Sequence, residues 1–319
     1  MTISQLKYLL AVAKHRNFSK AAKELKVTQP TLSMQIRNLE DELGVRIFDR
    51  SHSPMRITPI GQKIIEQARI ILHENDKIIE MVKHEKGMVA GEFRLGIIPT
   101  VIGTLLPIFL KDFMRLYPDV RLHIEELTTQ QIIDALRNNE LDAGILATPL
   151  EEEDIIEMPL YNEPFVGFIP EGHRLYGKEK LHDHDLAVDD ILLLEEGHCF
   201  RDNILNICKT ELPDDQPYTL ETGNFTTLIK LAKEGMGMTL LPYLHTLDLC
   251  EDDKKLLKNF EKPEPAREIS LVIHADNHKK GIVGALRKTI RAIIKGLVTF
   301  HNVRIISPLP PKHLQNKLD

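Results

Sequence analysis

Residues 17–50 of the 319-residue chain read NFSKAAKELKVTQPTLSMQIRNLEDELGVRIFDR, and this stretch decides the fold of the N-terminal end. Ser19 is placed to cap a short helix whose paired alanines, Ala21 and Ala22, let another helix approach closely. After a short turn, Thr28 is placed to cap a longer helix with Pro30 in its first turn, where the missing N–H costs nothing. Two helices joined in this way predict a helix-turn-helix.

The longer of these helices is predicted to be amphipathic. At about 100° per residue, one face forms a buried apolar stripe made of Leu32, Ile36, Leu39 and Leu43. The opposite face is polar and presents the residues that we expect to bind DNA, which are Gln29, Pro30, Thr31, Ser33 and Arg37. Glutamine can bond a base edge at two places, and arginine can hold a phosphate. Such a helix suits the major groove of DNA.

A hairpin is predicted directly after this helix, over VRIFDRSHSPMRIT at residues 45–58. Its turn lies around Ser53 and Pro54, and its arginines, Arg50 among them, would cover the phosphate backbone as a wing. Residues 1–58 are therefore predicted to form a winged helix-turn-helix DNA-binding domain. The pattern alone also allows a small three-helix interaction module that binds no DNA.

The net charge of −6 hides an asymmetry between the two ends of the chain. Residues 1–86 hold 15 Lys and Arg against 10 Asp and Glu, which gives +5, so the remainder has a net charge of −11. A basic head on an acidic body predicts that the head meets a polyanion. Aromatic residues make up only 5% and Trp is absent, which argues against a protein that stacks single-stranded bases.

The composition also bears on where the protein works. Three cysteines do not make the disulfide framework of a secreted protein. No run approaches the ~18 apolar residues of a membrane span, and the first residues lack the pattern of a signal peptide. We therefore expect a cytoplasmic protein without a membrane partner.

Residues 59–88 predict a long linker helix that mediates dimerisation. Six positions recur at alternating spacings of four and three, as in the seam of a coiled coil, and they are Ile64, Ala68, Ile71, Asn75, Ile78 and Val82. A single polar residue in such a seam, Asn75, fixes register and the number of partners. We expect a dimer seam, because dimers read repeated half-sites. The alternative is one amphipathic helix packed on its own body.

From residue 89 onward, strand-like and helix-like segments alternate, which predicts an α/β fold with mainly parallel sheets. MPLYNEPFVGFIP at residues 158–170 is expected to form two strand-like pieces, and YTLET at 218–222 another strand. The glycines Gly235 and Gly237 predict a turn before a strand, since the spacing of a phosphate loop is missing. Residues 299–319 are interrupted by prolines and are predicted to form a flexible tail.

The segment 17–50, the TPIGQ after it and the linker helix resemble the N-terminus of the LysR-type transcriptional regulators, with Ile47 in place of their usual Leu. The resemblance covers residues 1 to about 298. It implies a two-lobed regulatory domain over 89–298, shaped like a periplasmic binding protein, with lobe I about 89–163 and 267–298 and lobe II about 164–266. It also implies a homodimer or homotetramer bound to double-stranded promoter DNA, with RNA polymerase as a further partner.

Cys199 and Cys208 are the residues from which we predict chemistry. Gly197 and the HCFRDN that follows place Cys199 at the start of a helix, where the amide groups, His198 and Arg201 favour an anion. We therefore expect a lowered pKa for the Cys199 thiol and reaction with a small oxidant. The alternative is that both cysteines are free thiols in or near a core.

The stretch LLLEEGHCFRDNILNIC at residues 192–208 resembles the redox segment of the hydrogen-peroxide sensors in this family, with Asn203 in place of their usual Gln. The resemblance implies that Cys199 attacks hydrogen peroxide and that Cys208 converts the sulfenic acid into a reversible disulfide. It also implies a peroxide pocket made of Thr100, Thr129, His198 and Arg267. If residues 199–208 are helical, their ends lie ~13.5 Å apart at about 1.5 Å per residue. A disulfide needs Cα atoms within about 7 Å, so the helix would have to unwind.

Two other functions share parts of this pattern. A LysR-type regulator that responds to a small organic inducer would have every feature except the paired cysteines and HCFRD. A thiol peroxidase with a DNA-binding head would need a reductase partner, for which the sequence shows no site, so we expect no enzymatic activity. We also predict no cofactor and no metal site, because the ligand-type residues 182–185 fit solvated surface better. The sequence leaves the role of Cys250 open.

Overall fold

The computed structural model describes residues 1–52, 55–86, 88–208, 222–298 and 302–309. The chain forms two compact units, Met1–Gly87 and Met88–Asp319. The turn predicted at Ser53 and Pro54 and nearly all of the strand predicted at 218–222 lie outside the described residues. No helix among the described residues is long and apolar enough to cross a membrane.

The N-terminal unit consists of a helix-turn-helix, a small hairpin and a long helix, and its elements are α1 (Ile3–His15), α2 (Phe18–Glu24), α3 (Gln29–Leu43), β1 (Phe48–Asp49), β2 (Arg56–Ile57) and α4 (Pro59–Glu85). As predicted, the Thr28 side chain caps α3 by accepting from the amide of Thr31. α2 is capped by Asn17, two residues before the predicted Ser19. β1 and β2 pair antiparallel, which confirms the hairpin.

The core of this unit lies between α1, α2 and α3. Ala21 and Ala22 are buried at the contact of α2 with its neighbours, as the paired alanines predict. Three residues of the predicted stripe on α3 are fully buried, but Leu43 is 39% exposed. The reason is that α3 ends there, since Gly44 adopts the left-handed conformation that stops the helix.

The predicted seam of α4 has two different parts. Ala68 is buried in the core of its own unit, and Ile64 and Ile71 pack against the same core. The first part of the seam therefore packs on its own unit, where α4 contacts α1, as in the alternative interpretation of this helix. Farther along, Ile78 is 61% exposed and Val82 is 51% exposed. Dimerisation through this second part stays a prediction.

The second unit is an α/β domain, and its helices and strands are β3 (Gly91–Ile97), α5 (Pro99–Leu116), β4 (Val120–Glu126), α6 (Thr129–Arg137), β5 (Ala143–Thr148), β6 (Ile155–Phe168), α7 (Cys199–Cys208), α8 (Phe225–Lys233), β7 (Thr239–Pro242), α9 (Tyr243–Leu247), α10 (Glu251–Lys254), β8 (Leu257–Lys258), β9 (Glu264–His274), α11 (Lys280–Ile294) and β10 (Val303–Ile305). The strands follow the order β4-β3-β5-β9-β6-β7, with β8 on β6 and β10 on β9.

The sheet is mixed, which corrects the prediction of mainly parallel strands. β3 pairs parallel with β4 and β5, but β9 pairs antiparallel with both β5 and β6. MPLYNEPFVGFIP forms one strand with an irregularity between Pro159 and Tyr161, where two pieces were predicted. This strand crosses from one part of the domain to the other, because Ile155 and Leu160 belong to one apolar cluster and Phe165 and Phe168 to another.

Two apolar clusters lie on either side of this crossing. One includes residues of β3, α5, β5 and α11, and it contains Cys199. The other includes residues of α7, α8 and β7, and Cys208 packs against it. α7 therefore begins in the core of one lobe and ends in the core of the other.

Residues 302–309, called the C-terminal segment below, contradict the prediction of a flexible tail over 299–319 in the part that the structure describes. β10 pairs parallel with β9, with Val303 opposite Glu264 and Ile305 opposite Ala266. Ile306 is only 6% exposed and belongs to the second cluster. A proline-rich sequence thus adds an edge strand to the sheet. The sequence did not predict this strand because its partners lie on distant elements that local patterns do not reveal.

Candidate functional site

Cys199 is the first residue of α7, as the sequence predicts, and its side chain is 7% exposed. The Thr129 hydroxyl on α6 and the backbone of Ala147 on β5 both interact with the Cys199 thiol. Arg267, on β9, is close enough to favour the charged form of the sulfur. The fold therefore brings one thiol, one hydroxyl and one guanidinium together from separate elements.

Arg267 is held at this site by a network of hydrogen bonds and is 1% exposed. Its Nη1 donates to Thr100 Oγ1 at 2.8 Å, and its Nη2 donates to the Thr100 carbonyl at 3.0 Å. Its Nε and Nη2 also donate to Glu163 Oε2 at 3.0 and 2.8 Å. Four donor contacts fix the plane of the guanidinium, and among the described residues they use four of its five N–H groups.

The prediction of a lowered pKa for the Cys199 thiol is wrong. Burial raises this pKa, and Asp202 on the same helix raises it as well, while Arg267 and Thr129 lower it by smaller amounts. Moving a thiolate out of water costs more free energy than the helix start and the Arg267 cation, which is already paired with Glu163, give back. Arg201, expected to assist, donates instead to the Leu194 carbonyl at 3.3 Å.

Three of the four predicted pocket residues come together around Cys199. Thr100, in the first turn of α5, accepts from Arg267. The buried Thr129 hydroxyl has no other hydrogen-bond partner among the described residues. The fourth predicted residue, His198, has other neighbours. Its Nε2 lies 3.3 Å from Glu195 Oε1 and so close to Gly223 that a Cβ added there would lie 2.9 Å from it.

Cys208, at the other end of α7, lies in different surroundings. Burial, together with the negative charges of Asp190 and Asp183, raises the pKa of its thiol to about 12. Cys208 is therefore a neutral thiol over the whole physiological range while α7 is intact.

The distance between the two sulfurs is set by the helix between them. α7 comprises ten residues with a cysteine at each end. At about 1.5 Å per residue the two Cα atoms are ~13.5 Å apart, against the ~7 Å or less that a disulfide requires. Both thiols are free in this structure, so it represents the reduced form.

Sequence reasoning missed two residues of this site. Glu163 is 1% exposed and forms the ion pair with Arg267, and its other oxygen accepts from the amide of Leu244 at 2.9 Å. Phe200 is fully buried, and its ring centroid lies 5.1 Å from the Arg267 guanidinium. One signal for Glu163 is its position directly before the apolar run PFVGF of β6. Phe200 had no such signal.

The residues predicted to bind DNA lie on α3 and the wing. Gln29, Pro30, Thr31 and Arg37 are exposed, Ser33 is half-buried, and Arg50 on the wing donates to Ser33 Oγ at 3.2 Å. A shallow cleft of about 500 Å³ lies between α3 and the hairpin, lined in part by Arg37, Arg46 and Arg50. Buried Glu40 accepts from the amides of Ile47 and Phe48 at 2.8 and 3.1 Å, which fixes the hairpin against α3.

The remaining candidates form no further site. Among the described residues, no group of three or more His, Cys, Asp or Glu side chains could hold a metal ion. Within residues 182–185, Asp185 is mostly buried and accepts from the amide of His182, so this residue is structural where we expected solvated surface. Gly235 and Gly237 have positive φ in the turn before β7, as predicted. Cys250 is exposed beside α10.

Comparisons with known proteins agree with this arrangement. Residues 3–62 match the bacterial regulatory helix-turn-helix protein, lysR family, and residues 86–294 match the LysR substrate binding domain. A hydrogen peroxide-inducible genes activator of Pectobacterium carotovorum is 37% identical over 296 residues, covering 93% of this chain and 98% of that protein. The dual regulator OxyR of Escherichia coli K12 is 36% identical, covering 93% of this chain and 97% of that protein.

Solved structures show the same similarity. Full-length OxyR from Pseudomonas aeruginosa, with one cysteine replaced by aspartate, is 33% identical with a TM-score of 0.74, covering 92% of this chain and 98% of that one. A cysteine-to-serine variant of OxyR from Corynebacterium glutamicum, described as bound to H2O2, is 27% identical with a TM-score of 0.62, covering 95% of this chain and 98% of that one.

Proposed function

We propose that this chain, which belongs to the LysR family of bacterial transcriptional regulators, senses hydrogen peroxide through a reversible disulfide between Cys199 and Cys208. One observation is central to the proposal. Two cysteines stand at opposite ends of a ten-residue helix, and Cys199 has the Arg267 guanidinium and the Thr129 hydroxyl beside its sulfur. Membership of the family supports the DNA-binding role, and similarity to hydrogen peroxide-inducible activators supports hydrogen peroxide as the signal.

The first chemical step is the oxidation of Cys199. The thiolate attacks one peroxide oxygen, an S–O bond forms, the O–O bond breaks, and hydroxide leaves and takes up a proton to become water. The remaining Nη1 hydrogen of Arg267 can donate to the peroxide, where negative charge develops on the departing oxygen. The Thr129 hydroxyl forms a hydrogen bond with the Cys199 sulfur and stabilises its thiolate. Because the resting thiol is protonated, its proton must leave before or during the attack.

The second step joins the two sulfurs. The Cys208 thiolate attacks the Cys199 sulfur, the S–S bond forms, the S–O bond breaks, and the hydroxide that leaves is protonated to water. In intact α7 the sulfurs are too far apart for this reaction, so residues 200–207 must leave the helical path. Oxidation therefore changes the shape of the second lobe, and this change is the signal passed to the DNA-bound regulator.

Substitution of the two cysteines tests the sensor. Cys199→Ser should abolish the peroxide response of promoter transcription while DNA binding by the reduced protein persists. Cys208→Ser should still take up one oxygen at Cys199 but form no disulfide and give no lasting response. The readouts are transcription in vitro with purified protein and RNA polymerase, and intact-protein mass. A Cys199→Ser protein that responds fully would contradict the proposal.

DNA binding is assigned to the polar face of α3 and the wing. We expect Arg37→Ala to weaken binding to many sequences alike and to lower the slope of log affinity against log salt by about 0.9, because one phosphate contact is lost. Arg115→Ala, an exposed arginine of the second unit, is the matched control and should change neither quantity. A loss confined to one base position would instead make Arg37 a base-reading residue.

Oligomeric state is the remaining part of the proposal. Ile78, Ile79, Met81 and Val82 form an apolar surface on the second half of α4, each about half exposed or more. We assign dimerisation to this surface. The partners of the assembled regulator in the cytoplasm would then be promoter DNA and RNA polymerase.

A further inference from the structure

The C-terminal segment is bound directly to the helix that joins the two cysteines. Asn203 is fully buried, and its Nδ2 donates to the carbonyls of Ile306 and Ser307 at 3.0 and 2.9 Å. Asn206, one turn later, donates through Nδ2 to the carbonyls of Ser307 and Leu309 at 3.0 and 2.8 Å. Four hydrogen bonds therefore connect the middle of α7 to a segment about 100 residues away.

The segment is anchored independently of α7. β10 pairs with the first residues of β9, and the amide of Ile306 donates to the Ala266 carbonyl at 2.8 Å. Arg304 forms an ion pair with Asp183, which lies in a short helical turn packed near α7. A segment fixed to the sheet in this way holds α7 in place.

We propose that the C-terminal segment clamps α7 in its helical form, and that Asn203 and Asn206 thereby act as positioning residues that set how fast Cys208 reaches the oxidised Cys199. The inference rests on the proposed peroxide sensing. It deepens that function by separating control of the second step from control of the first.

Geometry makes the two states mutually exclusive. Asn203 and Asn206 both lie between the cysteines, and the disulfide requires the chain between them to leave its helical path. The four side-chain bonds cannot all survive that movement, because the segment that carries their acceptors is anchored to β9 through β10 and the Ile306 amide. Breaking them is therefore part of the barrier to disulfide formation, whereas attack of Cys199 on peroxide leaves them in place.

Asn206→Ala gives a clear test, because the clamp and simple helix propensity predict opposite signs. Alanine favours a helix more than asparagine does, so without a clamp the substitution should slow the unwinding of α7. With the clamp, loss of two hydrogen bonds should raise the first-order rate of disulfide formation roughly tenfold. The second-order rate of Cys199 oxidation, measured in a Cys208→Ser background, should stay unchanged. Asn206→Gln, which keeps the amide donors, should remain closer to the wild-type rate.

A chain that ends at residue 301 completes the comparison. In that background, Asn206→Ala should give no acceleration, since the carbonyl acceptors are gone. Rates are measured by acid quench, alkylation of the remaining thiols and mass spectrometry. Equal acceleration by Asn206→Ala in both backgrounds, or none in the full chain, would overturn the clamp.

Hydrogen exchange decides the point even if the shortened chain does not fold. In the full-length reduced protein, amides of residues 203–208 should exchange faster in Asn206→Ala than in wild type. Equal or slower exchange would contradict the clamp. The proposed function fails differently, since wild-type protein would then form no Cys199–Cys208 disulfide at all.

Discussion

The two ends of α7 place the same side chain in opposite surroundings. Cys199 lies among groups that stabilise a thiolate, Arg267 and Thr129, although burial still keeps its pKa above the usual value. Cys208 lies beside two carboxylates, Asp190 and Asp183, and its pKa rises to about 12. Both thiols are protonated at rest, but the surroundings of Cys199 can stabilise its thiolate where it stands, whereas those of Cys208 oppose ionisation until it leaves its site.

Arg267→Met should remove most of this difference and have the largest effect. Without the guanidinium, the thiolate of Cys199 and the departing oxygen both lose their cation, so we expect the peroxide rate to fall about 100-fold. The substitution also leaves Glu163 as an unpaired buried charge, which costs about 3–5 kcal/mol of stability. The rate is measured by loss of the free Cys199 thiol in a Cys208→Ser background.

A paired variant separates reactivity from stability in this experiment. Glu163→Gln combined with Arg267→Met restores charge balance, so the melting temperature should recover in part while the peroxide rate stays low. If the rate recovers together with the melting temperature, Arg267 acts through folding alone, and the contrast between the two cysteines has another origin.

The pH dependence of the first step sharpens the same comparison. Because the Cys199 thiol has a raised pKa and only the thiolate attacks, the rate should increase about tenfold per pH unit below that pKa. Peroxide consumption by Cys208→Ser protein, followed over about pH 6 to 9, measures this increase. A flat profile would show that Cys199 is already ionised at neutral pH.

The other end of the helix should respond only in alkaline solution. The folded pKa of Cys208, about 12, lies above its ordinary value of 9.0, so the unfolded chain loses this proton first as pH rises. Stability from this group is complete below about pH 9 and is lost between pH 9 and 12, by about 1.4 kcal/mol per pH unit at most. Cys208→Ser should flatten this part of the unfolding curve relative to wild type in urea titrations. Parallel curves would mean that Cys208 has an ordinary pKa.

Local patterns were sufficient for much of the fold. The cap at Thr28, the paired alanines and the start of a helix at Cys199 depend on neighbours in sequence, and the structure has all three. Cys199, Thr100, Thr129 and Arg267 were brought together through resemblance to a family. Their contacts join four different elements and could not come from periodicity.

The errors have one physical cause, which is dependence on distant parts of the chain. The pKa of Cys199 followed burial in the core of the first lobe, which outweighed the helix start. The C-terminal segment pairs with β9 and accepts from Asn203 and Asn206, all of them distant in sequence, the asparagines by about 100 residues. Glu163 was overlooked because its role is visible only once Arg267 lies opposite it on β9.

The most direct test of the central claim is hydrogen exchange across α7 after treatment of the protein with one equivalent of peroxide. Exchange is measured on the peptide that contains both cysteines, since its mass also reports their oxidation state. The account predicts a bond between Cys199 and Cys208 together with loss of amide protection over residues 200–207. Uptake of oxygen at Cys199 with the two sulfurs still unjoined and α7 as protected as before would contradict it.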